Sequence, residues 1–145
     1  MAKGFTLLEL MVTLAIAALL FVMVMPTGAH RSGAVELQGS ARDVAMGLRL
    51  TRSRAVVANR AADFALDLAQ PAYRPAGAAA VPLPRGVAVT LLTSEDELVS
   101  ATVGAIRFFP DGSSTGGGVI LSRGGERYEV LVDWLTGGVS IHASH

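Results

Sequence analysis

From Phe5 to Met25 the chain is an unbroken run of apolar and small residues, interrupted by one ionisable side chain, Glu9; Thr6 and Thr13 are its other polar positions. A soluble amphipathic helix shows a polar stripe at helical spacing, and this run has none. Its 21 residues, wound as a helix, rise about 31 Å, close to the ~30 Å hydrocarbon core of a bilayer. The pattern predicts a transmembrane helix over 5–25. A cleaved secretory signal is the competing reading. Its apolar core should be about 7–15 residues, closed by a small-residue cleavage site. This run is longer, and the residues after it, Pro26 to Ala29, match such a site poorly.

Pro26 removes a helical hydrogen bond and clashes with the preceding turn. Gly28 and Gly33 soften the backbone further, so 26–34 reads as a kink or linker, with helix resuming near Val35 and running to about Asn59. In that second helix Leu37, Ala41, Val44, Leu48, Thr51 and Ala55 recur at spacings of three and four, a narrow small-residue face suited to lying on a sheet. Arg42, Arg49, Ser53 and Arg60 follow the opposite face.

After Asn59 the period changes to two. Phe64, Leu66 and Leu68 alternate with Asp63 and Asp67, the mark of a half-buried strand. Residues 69–86 hold four prolines among alanines and glycines. They read as a surface loop, a candidate interaction loop, rather than a central strand or long helix. Val87, Val89 and Leu91 begin another strand; the acidic run Glu95-Asp96-Glu97 reads as a capped turn or short helix. The last third reads as an antiparallel meander: strands at 105–109, 119–122 and 126–134, and a short one from Val139. Gly124 and Gly125 mark a hairpin, and Tyr128, Val130, Val132 and Trp134 are expected to share one face. The fold class is α+β, a long N-terminal helix continuing into antiparallel strands.

Composition narrows the function. The 145 residues carry zero formal net charge and no cysteine. Disulfides and thiolate metal sites are excluded, and no global field steers a charged partner. The arginines from Arg42 to Arg60, with Asp43 as the only acid among them, invite a phosphate-tracking reading. With a neutral chain and few aromatics, an ordinary solvated face is favoured over nucleic acid. The acidic run lacks EF-hand spacing. The glycine-rich stretch 110–118 lacks a P-loop lysine and joins strands. His142 and His145 sit at a terminus. Asp111, Ser113 and His142 form no convincing nucleophile–base set. No enzyme, cofactor or metal is expected.

The stretch GFTLLEL places a basic leader ending in Gly4 before Phe5, Glu9 and the apolar run. It resembles the N-terminus of type IV pilins and type II secretion pseudopilins. The resemblance implies that a prepilin peptidase cuts after Gly4 and methylates the amine of Phe5, that residues 1–4 are a cytoplasmic leader, and that 35–145 form a periplasmic domain. The expected location is the inner membrane, single-pass, before incorporation into a fibre. Pro26 matches the helix kink of many members. The new amine and Glu9 would lie four residues apart on one helix side. Across subunits the Glu9 carboxylate can pair with a neighbour's Phe5 amine, each charge offsetting the other's desolvation. Further on, FFPDGSSTGG and VDWLTGGV resemble the H-type minor pseudopilins of type II secretion. That implies a minor pseudopilus subunit working with membrane lipid before assembly, the peptidase, other major and minor pseudopilins and an inner-membrane assembly platform. The alternative from the same superfamily is a minor pilin of a type IV pilus, with DNA bound through Arg42, Arg49 and Arg60.

Overall fold

The computed structural model describes residues 7–24, 28–92 and 102–144, with side chains over 7–18, 33–92 and 102–144. Gly4, Phe5, Pro26, the acidic run at 95–97 and His145 lie outside the described residues. The chain divides into two compact units, Met1–Arg31 and Ser32–His145.

In the first unit, helix α1 spans Leu7–Val24. Its side chains from Leu7 to Ala18 are all exposed, and the Thr13 hydroxyl donates back to the Leu10 carbonyl at 2.9 Å. Among the described residues no helix is long and apolar enough to cross a membrane. The 18 residues of α1 rise about 27 Å, and the apolar run in the sequence extends past both of these ends.

Helix α2 spans Gly28–Ala58. It begins seven residues before Val35, where the sequence pattern placed the restart, and takes in Gly33. Gly28 and Gly33 each cost about 1 kcal/mol of helix propensity relative to Ala, and a helix this long draws its stability from the packing of its apolar face rather than from propensity. The helix ends in a Schellman cap. Asn59 takes a left-handed conformation, φ 48°, and the amides of Asn59 and Arg60 reach the carbonyls of Val56 and Ala55 at 3.2 and 3.1 Å. All six positions of the expected apolar face are buried, joined by Ser40 and Ala45.

Among the described residues eight strands follow: β1 (Ala62–Asp67), β2 (Ala72–Arg74), β3 (Val81–Pro82), β4 (Ala88–Leu92), β5 (Val103–Phe108), β6 (Gly117–Arg123), β7 (Glu126–Val132) and β8 (Val139–Ser144). They form two four-stranded sheets with orders β3-β2-β1-β5 and β4-β6-β7-β8, antiparallel throughout. One core joins both sheets to α2: Leu37, Val44 and Leu48 meet Phe64, Leu66 and Ile106 of the first sheet and Val119, Leu121 and Val130 of the second. At Gly47 the helix backbone comes so close that an added Cβ would lie 3.0 Å from the Phe64 ring and 3.2 Å from Tyr73 and Pro75.

Three expectations are corrected. Segment 69–86 is not one loop. It holds β2 and β3, and it buries Tyr73 and Leu83. Its prolines are accommodated because Pro82 lies in the outermost strand, paired with Ala72 on one side only. The C-terminal third is not a single meander either, since β5 pairs with β1 along six residues, Ala62↔Phe108 to Asp67↔Val103. Only β6, β7 and β8 run on as neighbours. Trp134 is not on the core face: β7 stops at Val132 and Trp134 is 65% exposed. The hairpin at Gly124-Gly125 is present, with both glycines at positive φ, 60° and 90°, closing the Arg123↔Glu126 pair as a two-residue turn requires.

Candidate assembly site

Glu9 lies in the first turn of α1. The positive end of the helix dipole favours a carboxylate there. Around it Leu7, Leu8, Leu10, Met11, Val12, Leu14 and Ile16 are all exposed, Leu7 to 78%. A helix apolar on every side is stable only in lipid or among other helices. The described geometry thus sets one carboxylate into an otherwise greasy cylinder. Gly4 and Phe5, the other two members of the N-terminal motif, and Pro26 fall outside the described residues.

The arginines of α2 divide by role. Arg42 is exposed, and Arg60 lies just past the helix in its cap. Arg49, on the same side, donates from Nη2 to the Val139 carbonyl at 3.0 Å, fastening the helix to β8. Arg52 donates from Nε to the Gly112 carbonyl at 3.0 Å and holds the loop between β5 and β6. The helix side that looked like a row of free cations is thus partly spent on internal contacts. Arg52 was missed because helical spacing puts it off both faces, and the glycine it serves is distant in sequence.

The glycine-rich loop after β5 and the turn after β7 lock together. Ser114 donates its amide to the Trp134 carbonyl at 2.9 Å and its hydroxyl to the Asp133 carbonyl at 3.1 Å. Asp133 Oδ1 accepts from both the amide and the hydroxyl of Thr136 at 2.8 Å. These bonds hold its carboxyl below the usual range. Asp111 is held low in the same way by the hydroxyl and amide of Ser113, at 2.6 and 2.9 Å. Asp111 and Ser113 are therefore a turn device. His142 bonds instead to Ser140, on its own strand, at 3.1 Å. Among the described residues no group of three or more His, Cys, Asp or Glu side chains is placed to hold a metal.

Residues 40–138 match the family described as Type II transport protein GspH, and residues 1–25 match the prokaryotic N-terminal methylation motif. The type II secretion system protein H of Xanthomonas campestris pv. campestris is 30% identical over 137 residues, covering 94% of this chain and 81% of that protein. Among solved structures, the minor pseudopilin EpsH from the type 2 secretion system of Vibrio cholerae aligns with a TM-score of 0.58 at 13% identity, over 74% of this chain and 97% of that one. That likeness makes the fold pilin-like, an N-terminal helix on antiparallel sheets. With the family match running from Ser40 within α2 through strands β1 to β7, and the methylation motif covering the apolar run near the N-terminus, the chain belongs to the GspH family of type II transport proteins.

Proposed function

We infer that the protein works as a minor pseudopilin of type II secretion, a structural subunit of the pseudopilus that assists export of folded proteins across the outer membrane. The observation that carries this reading is the conjunction in one chain of the GspH-type domain with an N-terminal helix that is apolar all round and bears one carboxylate, Glu9. Within that reading, the prepilin peptidase cleaves after Gly4 and methylates Phe5. The helix over 5–25 anchors the chain once in the inner membrane, with residues 35–145 in the periplasm. Glu9 then pairs with the Phe5 amine of a neighbouring major or minor pseudopilin at the assembly platform. Arg49 and Arg52 support this machine over a DNA-binding pilus, because both spend hydrogen bonds on the protein's own carbonyls. A deletion strain, scored in parallel for exoprotein release, surface motility and DNA uptake, tests it. Release is expected to fail while motility and uptake persist; the reverse outcome would assign the subunit to a type IV pilus.

A further inference from the structure

At the C-terminal end of α2, between the helix and the turn after β2, lies an open cleft of about 430 Å³ whose walls include Arg54, Val57, Arg60, Ala61, Ala76 and Gly77. One wall is unusual. The Nη1 atom of Arg54 is buried and has no hydrogen-bond partner among the described residues. It lies where an added Cβ on Gly77 would come within 3.0 Å of it. A buried, unbonded nitrogen of a permanent cation is expensive to leave so. Arg60 stands in the same wall, and Arg74 lines the adjoining cleft that shares Arg60, Ala61, Ala62, Ala76 and Gly77. The acid there, Asp63, is already paired with Arg107 through two bonds of 2.7 and 3.2 Å. The end of a helix carries about half a negative charge, but here its last carbonyls are capped, and the guanidinium groups outweigh it. The cleft therefore presents uncompensated positive charge in small apolar walls.

We propose that this cleft is a docking site for an acidic peptide segment of a partner protein, with a carboxylate received by Arg54 and Arg60 and small apolar side chains set against Val57, Ala61 and Ala76. With Nη1 covered, Nε and Nη2 of Arg54 remain as the pair of donors that can meet a carboxylate in two parallel bonds. A nucleic-acid strand is the poorer fit, because single strands call for aromatic platforms and the walls of both clefts hold none. The proposal stands apart from the secretion reading and does not need it.

The test uses the full chain, ¹⁵N-labelled in detergent micelles. The probes are the capped peptide Ala-Glu-Val-Glu-Ala, its counterpart with Gln in place of Glu, and a short oligothymidylate. The acidic peptide is expected to move the Arg54 Nε–H signal and to bind about tenfold tighter than the Gln peptide at low salt. Arg54→Gln and Arg60→Gln should each weaken it several-fold, and Arg85→Gln should not. Equal binding of the two peptides, or no effect of either substitution, would overturn the proposal. Displacement of the peptide by oligothymidylate at equal concentration would also overturn it, reducing the cleft to a general anion patch. If Arg54→Gln fails to fold, the two-peptide comparison on the unaltered chain and Arg60→Gln still decide.

Discussion

The ring of Tyr73 lies stacked on the ring of Phe64, centroids 5.7 Å apart and planes inclined by 18°. The two come from β2 and β1, and α2 closes over them at Gly47. Burial, with the charge of Asp43 added, pushes the Tyr73 hydroxyl above its usual range. Gly47→Val gives the helix a better former but drives its methyl groups into Phe64, Tyr73 and Pro75. Overpacking of this kind costs about 1–3 kcal/mol. A urea titration should show a lower midpoint with an unchanged slope. A midpoint at or above that of the parent chain would mean that the helix can lift off the rings without loss.

Tyr73 also shows where periodicity stops being informative. The face of α2 from Leu37 to Ala55, the alternation of Phe64 and Leu66, and the Gly124-Gly125 hairpin are local patterns, and each was legible. The packing of Tyr73 was not, because three residues of strand between prolines carry too little period to register. Likewise nothing local says that β5 leaves its sequence neighbours for β1; that is a long-range pairing. On the assembly side, the motif from Gly4 to Glu9 was legible as a pattern. The duty of Arg52 was not, since its partner, Gly112, becomes a neighbour only on folding, and neither was the placing of Arg54 beside Gly77.

Trp134 extends the alternation of β7 in the sequence but not in space. Asp133 ends the strand. Its carboxylate caps Thr136, its amide bonds the Gly138 carbonyl and its carbonyl accepts from Gly137, both at 2.9 Å. The indole is therefore turned out to solvent. Trp134→Ala should cost about 1 kcal/mol or less, as surface changes do, against about 3–5 for a buried aromatic. Thermal melts of the two chains measure the difference, and a loss in the larger range would place the indole back in the core.

The hydrogen bond from Arg52 to the Gly112 carbonyl is one of the links between α2 and the β5–β6 loop. Arg52→Met keeps the aliphatic stem and removes the donor, leaving a half-buried carbonyl short of a partner. A loss of about 1–2 kcal/mol follows, while Arg42→Met, on the exposed side, should change stability by about 0.5 kcal/mol or less. Equal effects would show that the Arg52 contact carries no stability.

Asp111 and Asp133 are both held below the usual carboxylate range by hydrogen bonds within their turns. A depressed folded pKa stabilises the fold wherever the group is ionised in the native state. That contribution is whole above the unfolded value of about 3.9 and is lost as pH falls through the lower folded value. Stability attributable to these two turns should accordingly be flat from neutrality down to about pH 4 and decline below it. The double variant Asp111→Asn with Asp133→Asn should show a shallower acid decline in a series of urea midpoints. An identical decline in both chains would remove these carboxylates from the acid response.

Glu9 lies in the first turn of a helix whose surroundings are apolar on every side, and the proposed reason is a neighbour's amine, made by cleavage after Gly4. The two halves of that reading separate experimentally. Gly4→Val should block the peptidase and leave a precursor heavier by the four-residue leader, read by intact mass; a normal mature mass would show that Gly4 is not the cleavage site. Glu9→Ala should be cleaved and inserted as usual, because removing a carboxylate eases entry into lipid. It should nevertheless be missing from sheared fibres and fail to restore export. Glu9→Asp tests the charge against the reach: it keeps the carboxylate one methylene shorter and should recover part of the assembly. If Glu9→Ala entered fibres and restored export at the parent level, the pairing would be wrong. The carboxylate would then be an ordinary dipole-facing residue in the first turn of α1.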